Sequence, residues 1–166
     1  MAATAERQTA LERSLGTVGE AMTREVVLLA ADMTAEMALH RLDEKAVSGA
    51  PVVDHGQVVG VVTRRDLTVP TLLDDPSGFA ALVPERRRDR LSGLRVSELM
   101  SEEPVTARPD WTLVAAVRSM LEAGVNRLPV VDPSGRPLGV VTRDDVLQAV
   151  ARPPGGDKEA GGGPER

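Results

Sequence analysis

A mixed α/β fold assembled from one unit written twice is predicted by three observations. Val47 to Leu67 read VSGAPVVDHGQVVGVVTRRDL, and Val125 to Val146 read VNRLPVVDPSGRPLGVVTRDDV. The two copies stay in register from Val18 against Val96 through Asp54 against Asp132, until one extra residue in the second turn moves Gly60 onto Gly139. Within each copy, apolar residues at helical spacing give way to short valine-rich runs separated by turn residues, the pattern of a helix followed by a hairpin. Self-similarity over this length marks a duplication, so each half is one supersecondary unit.

Residues 1–16 include TAERQTALERSL, which has helix formers but few apolar anchors, and are expected to be a helical or disordered extension. The first copy, 17–69, opens with VGEAM (Val18 to Met22), and the second, 95–151, opens with VSELM (Val96 to Met100). One short turn would put Val18 and Met22, or Val96 and Met100, on one side, so each copy begins with a small apolar hook. Short β-prone runs follow, Val26 to Leu29 and Pro104 to Thr106.

Asp32 and Asp110 stand just before two amphipathic segments and are expected to be helix N-caps. Ala35, Ala38, Leu39, Leu42 and Ala46 form the stripe of the first helix; Leu113, Val114, Val117, Met120 and Leu121 form that of the second. Met33, Met37 and Met120 are read as core. Each helix leads to a strand (Pro51 to Val53; Pro129 to Val131), a turn and a second strand (Val58 to Thr63; Leu138 to Thr142). Valine-rich strands of this kind suggest burial on both faces. A last helix is expected over Asp144 to Ala151, whereas Pro70 should end or bend its counterpart after Leu67. Residues 70–94 read as a linker containing the run Glu85 to Arg90, and the Gly- and Pro-rich residues 152–166 as a disordered tail.

Composition excludes several functions. There is no cysteine to supply a disulfide, a thiolate nucleophile or a cysteine metal cage. His40 and His55 fall in different elements, so neither a metal cluster nor a catalytic constellation is expected. A net charge of -5 opposes general attraction to nucleic acid, and the Arg86 to Arg90 run reads as a solvated helix face. No apolar run is long enough to span a membrane, so a cytoplasmic protein is expected. Trp111 and Phe79 are the only aromatics, so base stacking on an aromatic platform is not expected.

The order V-x-x-x-M, short strand, helix, (S/N)-x-x-P-V-V-D, turn and G-V-V-T-R-x-D resembles the cystathionine β-synthase (CBS) motif, and two in tandem are similar to a Bateman module. The resemblance covers about Thr17 to Val69 and Arg95 to Val150. It implies two βαββα CBS motifs packed through their sheets with pseudo-twofold symmetry, adenosine-containing ligands in clefts between them, and a homodimer formed through helices. No catalysis is implied.

Residue by residue, the resemblance groups Val61, Thr63 and Asp66 with Thr106, Asn126, Arg127 and Leu128 in one site. It groups Val140, Thr142 and Asp145 with Leu28, Ser48, Gly49 and Ala50 in the other. The aspartates would accept ribose hydroxyls, the threonines and adjoining backbone N–H groups would meet phosphate, and Arg64 and Arg143 would add positive charge. Thr106 and Arg127 suit the first site to a phosphate-bearing ligand. Structural alternatives stand beside these roles: the aspartates as helix caps, the threonines as strand residues with local hydrogen bonds, and Gly60 and Gly139 as packing requirements. The expected function is a regulatory module sensing AMP, ADP or ATP, with S-adenosylmethionine a further candidate and an unknown protein as the regulated partner. The alternative is a ligand-independent dimerisation or interaction scaffold.

Overall fold

The computed structural model describes residues 12, 14–73, 89 and 91–151, with side chains placed in all of these but 69–73. The expected N-terminal extension (but for residues 12 and 14–16), most of the linker with its arginine run, and the tail lie outside the described residues. The described elements are α1 (Val18–Ala21), β1 (Leu29–Ala30), α2 (Ala35–Glu44), β2 (Gly49–Asp54), β3 (Gln57–Thr63) and α3 (Arg64–Leu73), followed by α4 (Val96–Leu99), β4 (Ser101–Glu102), α5 (Leu113–Ala123), β5 (Arg127–Val131), β6 (Pro137–Thr142) and α6 (Arg143–Ala151).

The chain divides into two compact units whose boundaries do not follow the repeats. One unit holds the core of the first repeat, residues 25–104, together with the turn 131–137 of the second; the other holds residues up to 24, then 105–130 and 138 onward. Each hook is therefore built into the unit formed by the other copy. In the second-repeat unit, α1 is held by Val18 N–H donating to Trp111 O (2.9 Å), Gly19 N–H to Pro109 O (2.9 Å) and Leu113 N–H to Gly16 O (3.3 Å). In the first-repeat unit, α4 is held by Val96 N–H donating to Met33 O (2.9 Å), Ser97 N–H to Ala31 O (2.9 Å) and Ala35 N–H to Leu94 O (2.9 Å). Val18 and Val96 are fully buried in the respective cores, so the hook is a core element rather than an entry segment.

The first-repeat sheet runs β1-β2-β3-β4, with β1 parallel to β2 and the other pairs antiparallel. The second-repeat unit keeps the β5-β6 hairpin and replaces the outer strands with single bridges, Ala107 parallel to Val130 and Thr23 antiparallel to Val140. The β-prone run expected at Pro104 to Thr106 thus contributes one bridge, one residue later. β4, which follows the α4 hook, was not expected from the pattern. Gly60 and Gly139 explain how the hooks fit. A Cβ on Gly60 would lie 2.9 Å from Ser101 O, and one on Gly139 would lie 2.6 Å from Thr23 O, so only glycine admits the crossing backbone.

Several local expectations are corrected. The N-caps are Thr34 and Thr112, not Asp32 and Asp110: the threonine hydroxyls accept from Met37 N–H (3.3 Å) and Ala115 N–H (3.2 Å), and helical dihedrals begin only after them. Ala46 lies beyond α2 at φ 52, and Leu121 is 64% exposed, so the buried stripes reduce to Ala35, Ala38 and Leu42 in α2 and Leu113, Ala116 and Met120 in α5. Met37 is 59% exposed because it falls off that stripe. The valine-rich strands are not uniformly buried on both faces: β2, β5 and β6 each hold a run of consecutive buried residues (49–52, 128–131 and 139–141), whereas in β3 only Gly60 and Val62 are buried. α3 continues through Pro70 to Leu73. The proline forgoes one backbone bond, to the carbonyl four residues back, and the Thr68 hydroxyl donates to Arg64 O (2.5 Å), a local bond of the kind that accompanies a bent helix.

Candidate functional site

Both units build the same corner where the second hairpin strand enters the final helix. In the first-repeat unit, Asp66 Oδ2 accepts from Thr63 N–H (2.8 Å) and Thr63 Oγ1–H (2.7 Å), while Asp66 N–H donates to Thr63 Oγ1 (3.3 Å). In the other, Asp145 Oδ2 accepts from Thr142 N–H (2.7 Å) and Oγ1–H (2.8 Å), and Asp145 N–H donates to Thr142 Oγ1 (3.2 Å). Each is a reciprocal capping box, with the threonine as cap and the aspartate three residues on. The structural alternative for these residues is therefore present in the chain itself. It commits one carboxylate oxygen and leaves Oδ1 of each aspartate as an acceptor. The threonine hydroxyl proton is already donated.

The pre-proline segment of the same repeat closes each corner. Arg64 N–H donates to Ser48 O (3.0 Å), and Arg143 N–H donates to Asn126 O (3.0 Å). Gly49 pairs with Thr63 across β2 and β3, where a Cβ would come within 2.7 Å of Val62 O; Ala50 pairs with Val62 and Val61 with Pro51. The same-repeat residues Ser48, Gly49, Ala50, Val61, Thr63 and Asp66 are thus assembled in one unit, with Leu28 half-buried just before β1. Asn126, Arg127, Leu128, Val140, Thr142 and Asp145 belong to the other, with Thr106 half-buried beside the Ala107 bridge.

Burial separates side-chain from backbone candidates. Leu128 and Ala50 are buried core residues, and the Val140 N–H and C=O are both taken by Thr23 (3.0 and 2.9 Å). Arg64 is committed elsewhere: its Nε donates to Val47 O (3.0 Å), Nη2 to Leu42 O (3.3 Å), and Nη1 pairs with Asp43 (2.8 Å), which holds the C-terminal end of α2. Arg143 donates likewise to Val125 O (3.2 Å). Arg127 is half-buried, and desolvation lowers its pKa from the ordinary arginine value.

A second pair of polar residues, Thr17 and Glu20, was missed. Glu20 accepts from Thr17 N–H (2.7 Å) and Oγ1–H (3.0 Å), and these bonds lower its pKa, the backbone one most. The T-x-x-E spacing at 17–20 is the signal that reveals it. Together with Asp145 it lines a cavity of about 320 Å³.

A sequence profile of the CBS domain matches residues 18–69 and again 96–152. The chain belongs to the CBS domain family. A CBS domain-containing protein of Dictyostelium discoideum is 35% identical over 139 residues, covering 81% of this chain and 91% of its own. The crystal structure of the CBS-pair protein CBSX2 from Arabidopsis thaliana aligns with a TM-score of 0.68 at 34% identity, covering 81% of this chain and 94% of that one. CBSX2 has also been solved in complex with AMP, where the match is 35% identical with a TM-score of 0.65 and covers 81% and 96% of the two chains. The α/β CBS-pair fold is thereby shown, and no helix among the described residues is long and apolar enough to cross a membrane.

Proposed function

We propose that this chain is a regulatory module that binds adenine nucleotides, AMP, ADP or ATP, and passes their occupancy to a partner protein. The observation that carries the reading is the Thr–Asp box repeated at both strand–helix corners of a chain whose 35%-identical relative is solved with AMP. On this reading, Oδ1 of Asp66 and of Asp145 accepts a ribose hydroxyl, and the box holds the carboxylate still while it does so. Leu28, Ser48, Gly49 and Ala50, and likewise Thr106, Asn126 and Leu128, serve the base through main-chain groups, while Val61 and Val140 contribute apolar wall. Arg127 supplies the guanidinium for phosphate, while the latched Arg64 and Arg143 act mainly by fixing the corner. The module works as a cytoplasmic homodimer, and ligand binding shifts it only by its difference in affinity for two arrangements.

Calorimetric titration with AMP, ADP, ATP and S-adenosylmethionine tests the reading. Asp66→Ala should weaken nucleotide binding at least tenfold, about 1.4 kcal/mol, whereas Arg118→Ala, on the exposed side of α5, should leave it unchanged. Absence of heat with every adenosyl ligand would discard the sensor reading. A ligand-independent dimerisation scaffold is the second reading, favoured by Leu121, Leu147 and Val150, which are 64%, 65% and 54% exposed.

A further inference from the structure

The two helices that lead into the pre-proline segments end in the same way. After α2, Ala46 N–H donates to Asp43 O (3.1 Å) and Val47 N–H to Leu42 O (3.0 Å); after α5, Gly124 N–H donates to Leu121 O (3.3 Å) and Val125 N–H to Met120 O (2.9 Å). This pair of bonds puts the residue between helix and strand in the left-handed conformation, which glycine adopts freely and alanine does not. The second repeat meets the demand with Gly124 at φ 68, the first with Ala46 at φ 52, whose Cβ strains the turn.

Extra bonds are found where the strain is. Arg64 Nε donates to Val47 O (3.0 Å) and Nη2 to Leu42 O (3.3 Å), so the guanidinium grips the chain on both sides of Ala46, and its Nη1 pairs with Asp43 (2.8 Å). The Arg64 N–H also donates to Ser48 O (3.0 Å), which ties the start of α3 to the segment beyond the turn. In the second repeat Leu121 stands at the place of Asp43, and the Arg143 guanidinium makes one such bond, to Val125 O (3.2 Å). The Asp43–Arg64 pair is half-exposed, with side chains 52% and 43% accessible, so its direct contribution to stability is small. Its effect is geometric: it fixes a planar fork whose other nitrogens hold the two carbonyls.

We propose that Asp43 is a positioning residue, which by bracing Arg64 holds the strained Ala46 turn closed and so sets the main chain of Ser48, Gly49 and Ala50 before a ligand arrives. The second repeat, with Gly124 and Leu121, sets its own segment by backbone conformation without that brace. The inference rests on the adenine-nucleotide reading above and adds to it the group that preorganises one of its base-binding segments.

The test uses the full chain and has two readouts, one of them independent of ligand. In the absence of nucleotide, amide hydrogen exchange at Ala46 and Val47 should be about tenfold faster in Asp43→Leu than in the wild-type chain, the effect of weakening roughly one hydrogen bond, and unchanged at Gly124 and Val125. In calorimetric titration, each of AMP, ADP and ATP that binds the wild-type chain should bind Asp43→Leu about tenfold more weakly, because the ligand must now order the segment itself. Adding Ala46→Gly, which gives the first repeat both residues of the second, should restore the slow exchange and the affinity together. That rescue, with the unmoved exchange at Gly124 and Val125, separates positioning from a folding defect. Exchange at Ala46 and Val47 unaffected by Asp43→Leu would overturn the brace. Faster exchange with unchanged affinity, or a loss of affinity that Ala46→Gly does not recover, would overturn the positioning role and leave the sensor reading intact. No adenine nucleotide binding to the wild-type chain would remove the sensor reading and the positioning role with it.

Discussion

Thr34 and Thr112 show how closely a capping side chain is tied to backbone geometry. Both adopt extended dihedrals, φ -72 and -68, and accept from the N–H three residues on, whereas Asp110 instead pairs with Arg108 at 3.5 Å. Thr112→Ala should lower unfolding stability by about 1 kcal/mol, and Asp110→Ala should change it by less than about 0.5 kcal/mol, measured by urea denaturation. Asp and Thr are both good caps, so composition alone does not choose between neighbours two residues apart. The depressed carboxylates have their own signature. Glu20 is lowered by hydrogen bonds from Thr17, and Asp132 by bonds from Ser134 and Arg136. A folded-state pKa below the ordinary value means their contribution is complete above that value and is lost as pH falls through the depressed one. Urea midpoints measured from neutral pH downward should fall less steeply for Glu20→Gln than for the wild-type chain.

At the scale of elements, the helices and hairpins were legible because their signal is periodic and local. β2, β3, β5 and β6 fall within a residue or two of where the valine runs place them, and α6 starts one residue early. The Thr63–Asp66 and Thr142–Asp145 corners were also legible as T-x-x-D in their structural role as caps. The placement of the hooks was not. Val18 and Met22 carry the same apolar spacing whichever core they enter, and only long-range backbone bonds such as Thr23 N–H to Val140 O (2.9 Å) decide it. The outward faces of α5 and α6 were only partly legible, since Leu121 was assigned to the core stripe. Leu121, Leu147 and Val150 are mostly solvent-exposed, which suits the proposed association through helices. Leu147→Asp combined with Leu121→Asp should shift the chain from dimer to monomer in analytical ultracentrifugation without lowering its unfolding midpoint, because neither side chain belongs to the core. Dimer retention would point the contact to another face.

At the scale of the whole molecule, the exchange of hooks means that a repeat and a folding unit are different stretches of chain. The buried cluster of the first-repeat unit runs from Leu29 to Val96, and two of its members, Leu91 and Val96, lie beyond the repeat itself. A fragment ending at residue 69 would therefore lose Val96, and with it the bonds to Met33 and Ala31 and the strand β4 that covers the Gly60 edge. It would also carry Val18 and Met22 with no core to enter, because those side chains pack with Leu113, Met120 and Val141. A fragment spanning residues 25–104 keeps every member of its own cluster and all four strands of its sheet. The expected outcome is that residues 25–104 give a dispersed amide NMR spectrum and a cooperative melt, while residues 17–69 give neither. Because the cut at 69 removes Val96, whose burial alone is worth about 1.5–3 kcal/mol, the difference should be large against the small net stability of a domain this size. If the fragment of residues 17–69 folded cooperatively, the hook would have to be dispensable to the core, contrary to its complete burial there.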